Sequence, residues 1–151
     1  IVRPADFQVA VDRLARDYAM AVPLAKLVLR GLGVGTRFGD TAGKTFFLGH
    51  WEGDWYLLPD KDVKKDASPE LLAAMIEWLS IRQKAVDDAR SEVSYAKCRV
   101  YTYAEVNRVR DAMKDGRKRL VNAVLPKANV DFVSYSAYDC QLLPGEEIRA
   151  T

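Results

Sequence analysis

From Asp6 onward apolar residues recur at three- and four-residue steps, as Phe7, Ala10, Val11, Leu14, Ala15 and Tyr18. That is the spacing of one helix face, and it predicts a helix over 6–18 with Asp6 as its N-cap. A second helical stretch over 24–31 follows Pro23, carries Leu24, Leu27 and Val28 on one side, and runs out into Gly31, Gly33 and Gly35. The segment from Thr45 to Trp51 is continuous rather than periodic in its apolar residues. It predicts a strand over about 45–51 buried on both faces, as strands of parallel sheets are. After a polar loop, Ser68-Pro69-Glu70 combines a capping hydroxyl, a proline at the first helical position and an early acid. It opens a helix over about 69–92 whose inward stripe is Leu72, Met75, Ile76, Leu79, Gln83 and Val86. The pattern then repeats, with a strand at about 99–106, a basic helix at about 111–125 turning Leu120, Val121 and Val124 inward, and a strand at about 130–135.

Strand, helix, strand, helix, strand with connections of this length implies right-handed parallel crossovers, hence an α/β fold in a single domain over 1–151. Three strands are too few to close a barrel, which takes roughly 250 residues. The chain starts at Ile1 without a Met or the apolar core of a signal peptide, and reads as cut from something longer. We therefore expect an incomplete (β/α)8 TIM barrel.

Composition narrows the function classes without choosing one. Hydrophobic residues at 49% and charged residues at 29% exclude a disordered or collagen-like chain. The net charge of +2 gives no general field for nucleic acid or an anionic membrane, so neither is expected as a partner. No apolar run approaches the ~20 residues that cross a bilayer. Cys98 and Cys140 are too few for a disulfide framework and lack metal-site spacing, so free buried thiols are expected and no metal or cofactor is implied. The stretch Gly39 to Thr45 resembles a phosphate loop only superficially, because it is a residue short between its glycines and precedes a strand rather than a helix. The basic run Arg108, Arg110, Lys114, Arg117, Lys118 and Arg119 alternates with Asp111 and Asp115, which is the pattern of a solvated, internally paired helix face.

Chemistry concentrates where the strands end. His50-Trp51-Glu52-Gly53-Asp54-Trp55-Tyr56 packs two acids, an imidazole and three rings directly after a buried strand. In parallel α/β proteins ligands sit beyond the carboxyl ends of strands. Aromatic rings cover the C–H faces of sugars while acids, amides and imidazole bond their hydroxyls. Tyr101, Tyr103, Glu105 and Asn107 alternate along the second strand and share one side, and Tyr135, Tyr138 and Asp139 follow the third. Each has a plainer reading: Glu52 as a loop cap or Arg partner, His50 as a core histidine, Trp51 and Trp55 as packing anchors, and Glu105 as an ion-pair partner of Arg108 or Arg110.

Phe46 to Trp55 and the two later strand ends resemble the retaining glycoside hydrolases of the (β/α)8-barrel clan, which carry an acid/base Glu at the end of strand four and a nucleophile Glu at the end of strand seven. The resemblance implies that Glu52 is the catalytic general acid/base. His50, Trp51, Asp54, Trp55, Tyr103, Glu105, Asn107, Tyr135 and Tyr138 then bind the carbohydrate substrate, with Tyr135 or Tyr138 orienting the nucleophile. It places the nucleophile on a strand beyond Thr151, leaves the isolated chain inactive without the remainder of the barrel, and suggests a soluble, secreted or periplasmic setting. Trp51 stands where the clan has Asn before its acid/base Glu. A non-catalytic carbohydrate-binding or interaction module of α/β fold is the alternative.

Overall fold

Ser68 closes the first turn of the long helix: its hydroxyl accepts the Leu71 N–H at 3.2 Å and its carbonyl accepts that of Leu72 at 3.0 Å. With the N-terminal donors met in this way, Pro69 costs the helix nothing at its first position. The computed structural model describes residues 43–50, 52–93, 98–141 and 143–149. The helices expected over 6–18 and 24–31, and Trp51, lie outside the described residues. In chain order the elements are β1 (Thr45–His50), α1 (Gly53–Leu57), α2 (Pro69–Glu92), β2 (Arg99–Val106), α3 (Val109–Asp115), β3 (Phe132–Tyr135) and α4 (Gly145–Arg149). Short 3-10 turns at Pro59–Lys61 and Ala137–Asp139 and a π-helical turn at Leu120–Val124 complete them.

The three strands form one sheet in the order β1-β2-β3. β2 and β3 are parallel, with Tyr103 opposite Phe132 and Val106 opposite Tyr135. At the start of β1 and β2 the Arg99 N–H donates to the Lys44 carbonyl at 2.9 Å, and near their ends Gly49 lies under the Tyr103 ring, so these strands also run the same way. The fold is α/β, with α2 as the crossover from β1 to β2.

The chain packs as two units, Ile1–Leu48 with Ile81–Thr102 and Gly49–Ser80 with Tyr103–Thr151, so that β1, α2 and β2 each contribute to both. In the first, Val86, Ala89 and Val93 of α2 meet Cys98 and Val100, with Phe46 and Leu48 packed on them. The Thr102 hydroxyl donates to the Gln83 amide oxygen, and the Arg90 guanidinium donates to the Val100 carbonyl at 2.9 and 2.6 Å. In the second, Leu57, Met75, Leu79, Ala104, Val106, Leu120 and Val124 make a core fringed by Leu72, Ile76 and Val121. The inward stripe expected for α2 and the inward positions Leu120, Val121 and Val124 are thus present, each within its own unit.

Three expectations are corrected. β1 is not buried on both faces: Phe46 and Leu48 face the packed side, whereas Phe47 is 51% exposed. β3 begins at Phe132 rather than near 130 and is exposed along its length, Val133 to 53%, at the edge of the sheet formed by the described residues. The helix expected over 111–125 is two pieces. Gly116, at φ 64°, ends α3 in the left-handed region that glycine enters without a steric cost. Asn122 then organises the restart, its side-chain oxygen accepting the Arg119 N–H at 2.8 Å and its Nδ2 donating to the Arg117 carbonyl at 2.9 Å.

Candidate functional site

Period-two alternation carries Phe46 and Leu48 to one side of β1, and His50 follows them, its ring edge-on to Trp78 of α2 at 4.1 Å and 5.4 Å from Tyr56. The imidazole expected to bind substrate is therefore buried against helix residues, on the side opposite Gly49 and the Tyr103 ring. Glu52 then takes the left-handed conformation at φ 52° and ψ 45°. A side chain with a Cβ occupies that region at a steric cost of order 1–2 kcal/mol, so the surrounding turn has to impose it. Glu52 is half-buried. Its carboxylate makes no hydrogen bond or ion pair among the described residues, while its carbonyl accepts the Trp55 N–H at 3.1 Å.

Two neighbours impose that turn. A Cβ on Gly53 would stand 2.7 Å from the Leu120 side chain and 3.0 Å from the Glu105 carbonyl, so α1 begins flush against the end of β2 only because residue 53 is glycine. Asp54, fully buried, accepts three backbone N–H groups: Asn107 at 2.7 Å and Arg108 at 3.1 Å on Oδ2, and Leu120 at 2.7 Å on Oδ1. Anticipated as a sugar ligand, Asp54 is instead a brace that ties the loop after β1 to the loop after β2 and to the π-helical turn. Two of the three amides it meets, those of Asn107 and Leu120, are buried, where an unmet donor is costly.

On β2 the alternation holds as expected: Ala104 and Val106 enter the core, while Tyr103, Glu105 and Asn107 share the other side. The Tyr103 ring covers Gly49, where a Cβ would come within 2.1 Å of it. Asn107 Nδ2 donates to Glu105 Oε1 at 3.0 Å, and both side chains are buried. The guanidinium of Arg108, one of the ion-pair partners weighed for Glu105, goes to Asp111 in two bonds of 3.0 and 2.8 Å and lies over the Trp55 ring at 5.8 Å. One face of Trp55 is thus already covered by a cation.

After β3 the Ser136 N–H donates to the Val106 carbonyl at 2.9 Å, which holds the third strand end beside the second. Tyr135 donates to Asp139 Oδ1 at 2.6 Å and contacts Cys140 Sγ at 3.3 Å, and Asp139 Oδ2 accepts the Arg110 N–H at 3.0 Å. Loss of hydration, then the bonds to Asp139 and Cys140, push the Tyr135 phenol well above its ordinary value. It is held as a neutral hydroxyl donor. Tyr138 is 75% exposed beside it. Cys98 and Cys140 are buried thiols outside any disulfide, as expected.

No family model, curated protein or solved structure matches this chain. The site's chemistry is read from its own residues.

Several of those residues escaped sequence reasoning. Arg119, assigned to a solvated basic face, is fully buried, and donates to Asp111 at 3.1 Å, to the carbonyls of Val63 at 2.6 Å and Lys65 at 3.1 Å, and to that of Lys118. Asp111 therefore serves two guanidinium groups and anchors the loop before α2. Asp139 was noted only as an acid after a strand, yet it joins Tyr135 to the α3 backbone. Among the described residues no group of His, Cys, Asp and Glu could hold a metal ion, and no helix is long and apolar enough to cross a membrane.

Proposed function

We propose that this chain is the strand-four to strand-six segment of a (β/α)8 barrel that acts on carbohydrate, with Glu52 as the general acid/base of glycosidic-bond hydrolysis. One observation carries the reading: a glutamate in a left-handed turn at the carboxyl end of a parallel strand, half-buried, with its carboxylate unengaged among the described residues and its backbone fixed by Gly53 and Asp54. Strain imposed on a residue by an over-determined turn is a feature of working sites. Strand ends of this kind are where parallel α/β proteins hold ligands. In its protonated form Glu52 gives its proton to the leaving oxygen as the bond from that oxygen to the anomeric carbon breaks. As a carboxylate it then takes a proton from the water that completes hydrolysis. The nucleophile of a retaining mechanism sits on a strand beyond Thr151. Tyr103, Glu105 and Asn107 line the substrate side of β2, and Tyr135, locked to Asp139, presents a hydroxyl at the end of β3.

The full-length protein and its Glu52→Gln variant, assayed on a panel of aryl glycosides, test this. Loss of an acid/base group lowers turnover by roughly 10²–10⁴-fold. Equal rates remove Glu52 from the mechanism.

A non-catalytic carbohydrate-binding module is the second reading, favoured by Trp51 in place of the clan's Asn and by the structural engagement of His50 and Asp54. It is distinguished by saturable sugar binding with no turnover in the wild-type protein.

A further inference from the structure

The amide of Asn107 is half-used. Its Nδ2 donates to Glu105 Oε1 at 3.0 Å, but its Oδ1 is buried and has no hydrogen-bond partner. The assignment of the two amide atoms is fixed by chemistry, since turning the amide over would set its oxygen against a carboxylate. Glu105 bonds through one oxygen, and the other makes no hydrogen bond among the described residues. Asn107 is 5% and Glu105 8% exposed, and the buried, unmet Asn107 Oδ1 adjoins a Glu105 carboxylate whose second oxygen makes no hydrogen bond among the described residues. An orphan buried acceptor is costly and rare in a folded chain, and where one persists an ordered water or a ligand normally meets it. Neither Arg108, engaged by Asp111, nor the Asn107 and Arg108 backbone amides, engaged by Asp54, can serve these acceptors.

We propose that Glu105 and Asn107 form a subsite for a vicinal diol, one hydroxyl donating to the open Glu105 oxygen and its neighbour to Asn107 Oδ1. The proposal rests on the carbohydrate reading and names what that site requires of its sugar. A diol supplies two O–H donors on adjacent carbons, which matches two acceptors held together by a single 3.0 Å bond. The amide reaches the second hydroxyl by turning about its terminal torsion, which has a broad well. Tyr103, two residues before Glu105 on the same side of β2, offers a ring beside the pair to cover the sugar's C–H face. The subsite therefore accepts sugars with two free adjacent hydroxyls and rejects those in which either has been removed.

The test uses the full-length protein carrying Glu52→Gln, so that ligands bind without turnover. 4-Nitrophenyl β-glucoside, β-galactoside, β-xyloside and α-fucoside are titrated by calorimetry, and the tightest binder is then compared with its monodeoxy analogues. Removing either of two adjacent hydroxyls weakens binding by roughly tenfold or more, since each bond to a charged or buried acceptor is lost outright. Adding Asn107→Leu or Glu105→Gln shrinks that discrimination to within about twofold. Asn107→Leu keeps the main-chain N–H that Asp54 holds, and Glu105→Gln keeps the acceptor for Asn107, so at least one variant folds for the comparison. Undiminished discrimination in the folded variants overturns the subsite while leaving the sugar reading intact. Absence of binding by all four glycosides overturns both.

Discussion

Replacing Asp54 with alanine removes one side chain and orphans three backbone donors at once. The Asn107 and Leu120 amides sit in buried residues, while Arg108 is only partly buried and recovers its bond from water. A buried donor left unmet costs about 1–3 kcal/mol, so the two sheltered amides set a loss of about 2–6 kcal/mol. Against a typical total of about 5–15 kcal/mol that is a large share. Asp54→Asn is the sharper control, because it keeps one acceptor oxygen but turns an NH2 donor toward the remaining N–H, and should lose about 2–3 kcal/mol. Urea unfolding reads the loss as a lower midpoint with an unchanged slope. Amide exchange locates it, since protection should fall at Asn107 and Leu120 first. A loss under about 1 kcal/mol, with both amides still protected, would refute the idea that this carboxylate braces the loops behind Glu52.

Gly53→Ala places a Cβ 2.7 Å from Leu120 and 3.0 Å from the Glu105 carbonyl, so it should lower stability by about 1–3 kcal/mol in thermal unfolding. Gly49→Ala meets only the far end of the Tyr103 ring, which can swing away, so it should leave the melting temperature nearly unchanged while weakening the sugar binding proposed above. Arg119→Met leaves the Val63 and Lys65 carbonyls without their shared donor and Asp111 with Arg108 alone, a loss of about 1–3 kcal/mol measurable by urea unfolding. Tyr135 binds its proton more tightly folded than unfolded, so the stability it contributes is present below the unfolded pKa near 10.0 and falls as pH rises above it. Tyr135→Phe should flatten that alkaline decline in unfolding measured from pH 9 upward, and an unchanged slope would exclude the phenol as its source.

What the sequence disclosed and what it hid divide by range. The alternation of Val100, Thr102, Ala104 and Val106 against Tyr101, Tyr103 and Glu105 is a period-two signal, and β2 obeys it as far as Ala104, beyond which Glu105 is buried as well. The cap at Ser68 and the stripe of α2 are equally local. Asp54 was misread because its partners lie 53 and 66 residues away, and nothing in Trp51 to Tyr56 marks a carboxylate whose acceptors are claimed by distant amides. Arg119 was misread for the same reason, its carbonyl partners being 56 and 54 residues earlier. Gly116 is the exception, a local signal overlooked because the apolar positions on either side of it fit one continuous helix.

The acids of the strand ends then sort by a single physical criterion, whether their oxygens are met from within the chain. Asp54 accepts three amides, Asp111 accepts two guanidinium groups, and Asp139 accepts a phenol and an amide. These carboxylates have little to offer a substrate, because any bond to it would first have to break one to the protein. Glu52 and Glu105 keep an oxygen uncommitted among the described residues, and each is held by neighbours: Glu52 by the turn at Gly53 and Asp54, Glu105 by Asn107. The braces and the groups proposed to work are thus different residues, so their substitutions should part company. Asp54→Ala should reduce stability and the proposed activity together, whereas Glu52→Gln, which severs no bond among the described residues, should lower the proposed turnover in a protein that unfolds at the wild-type midpoint.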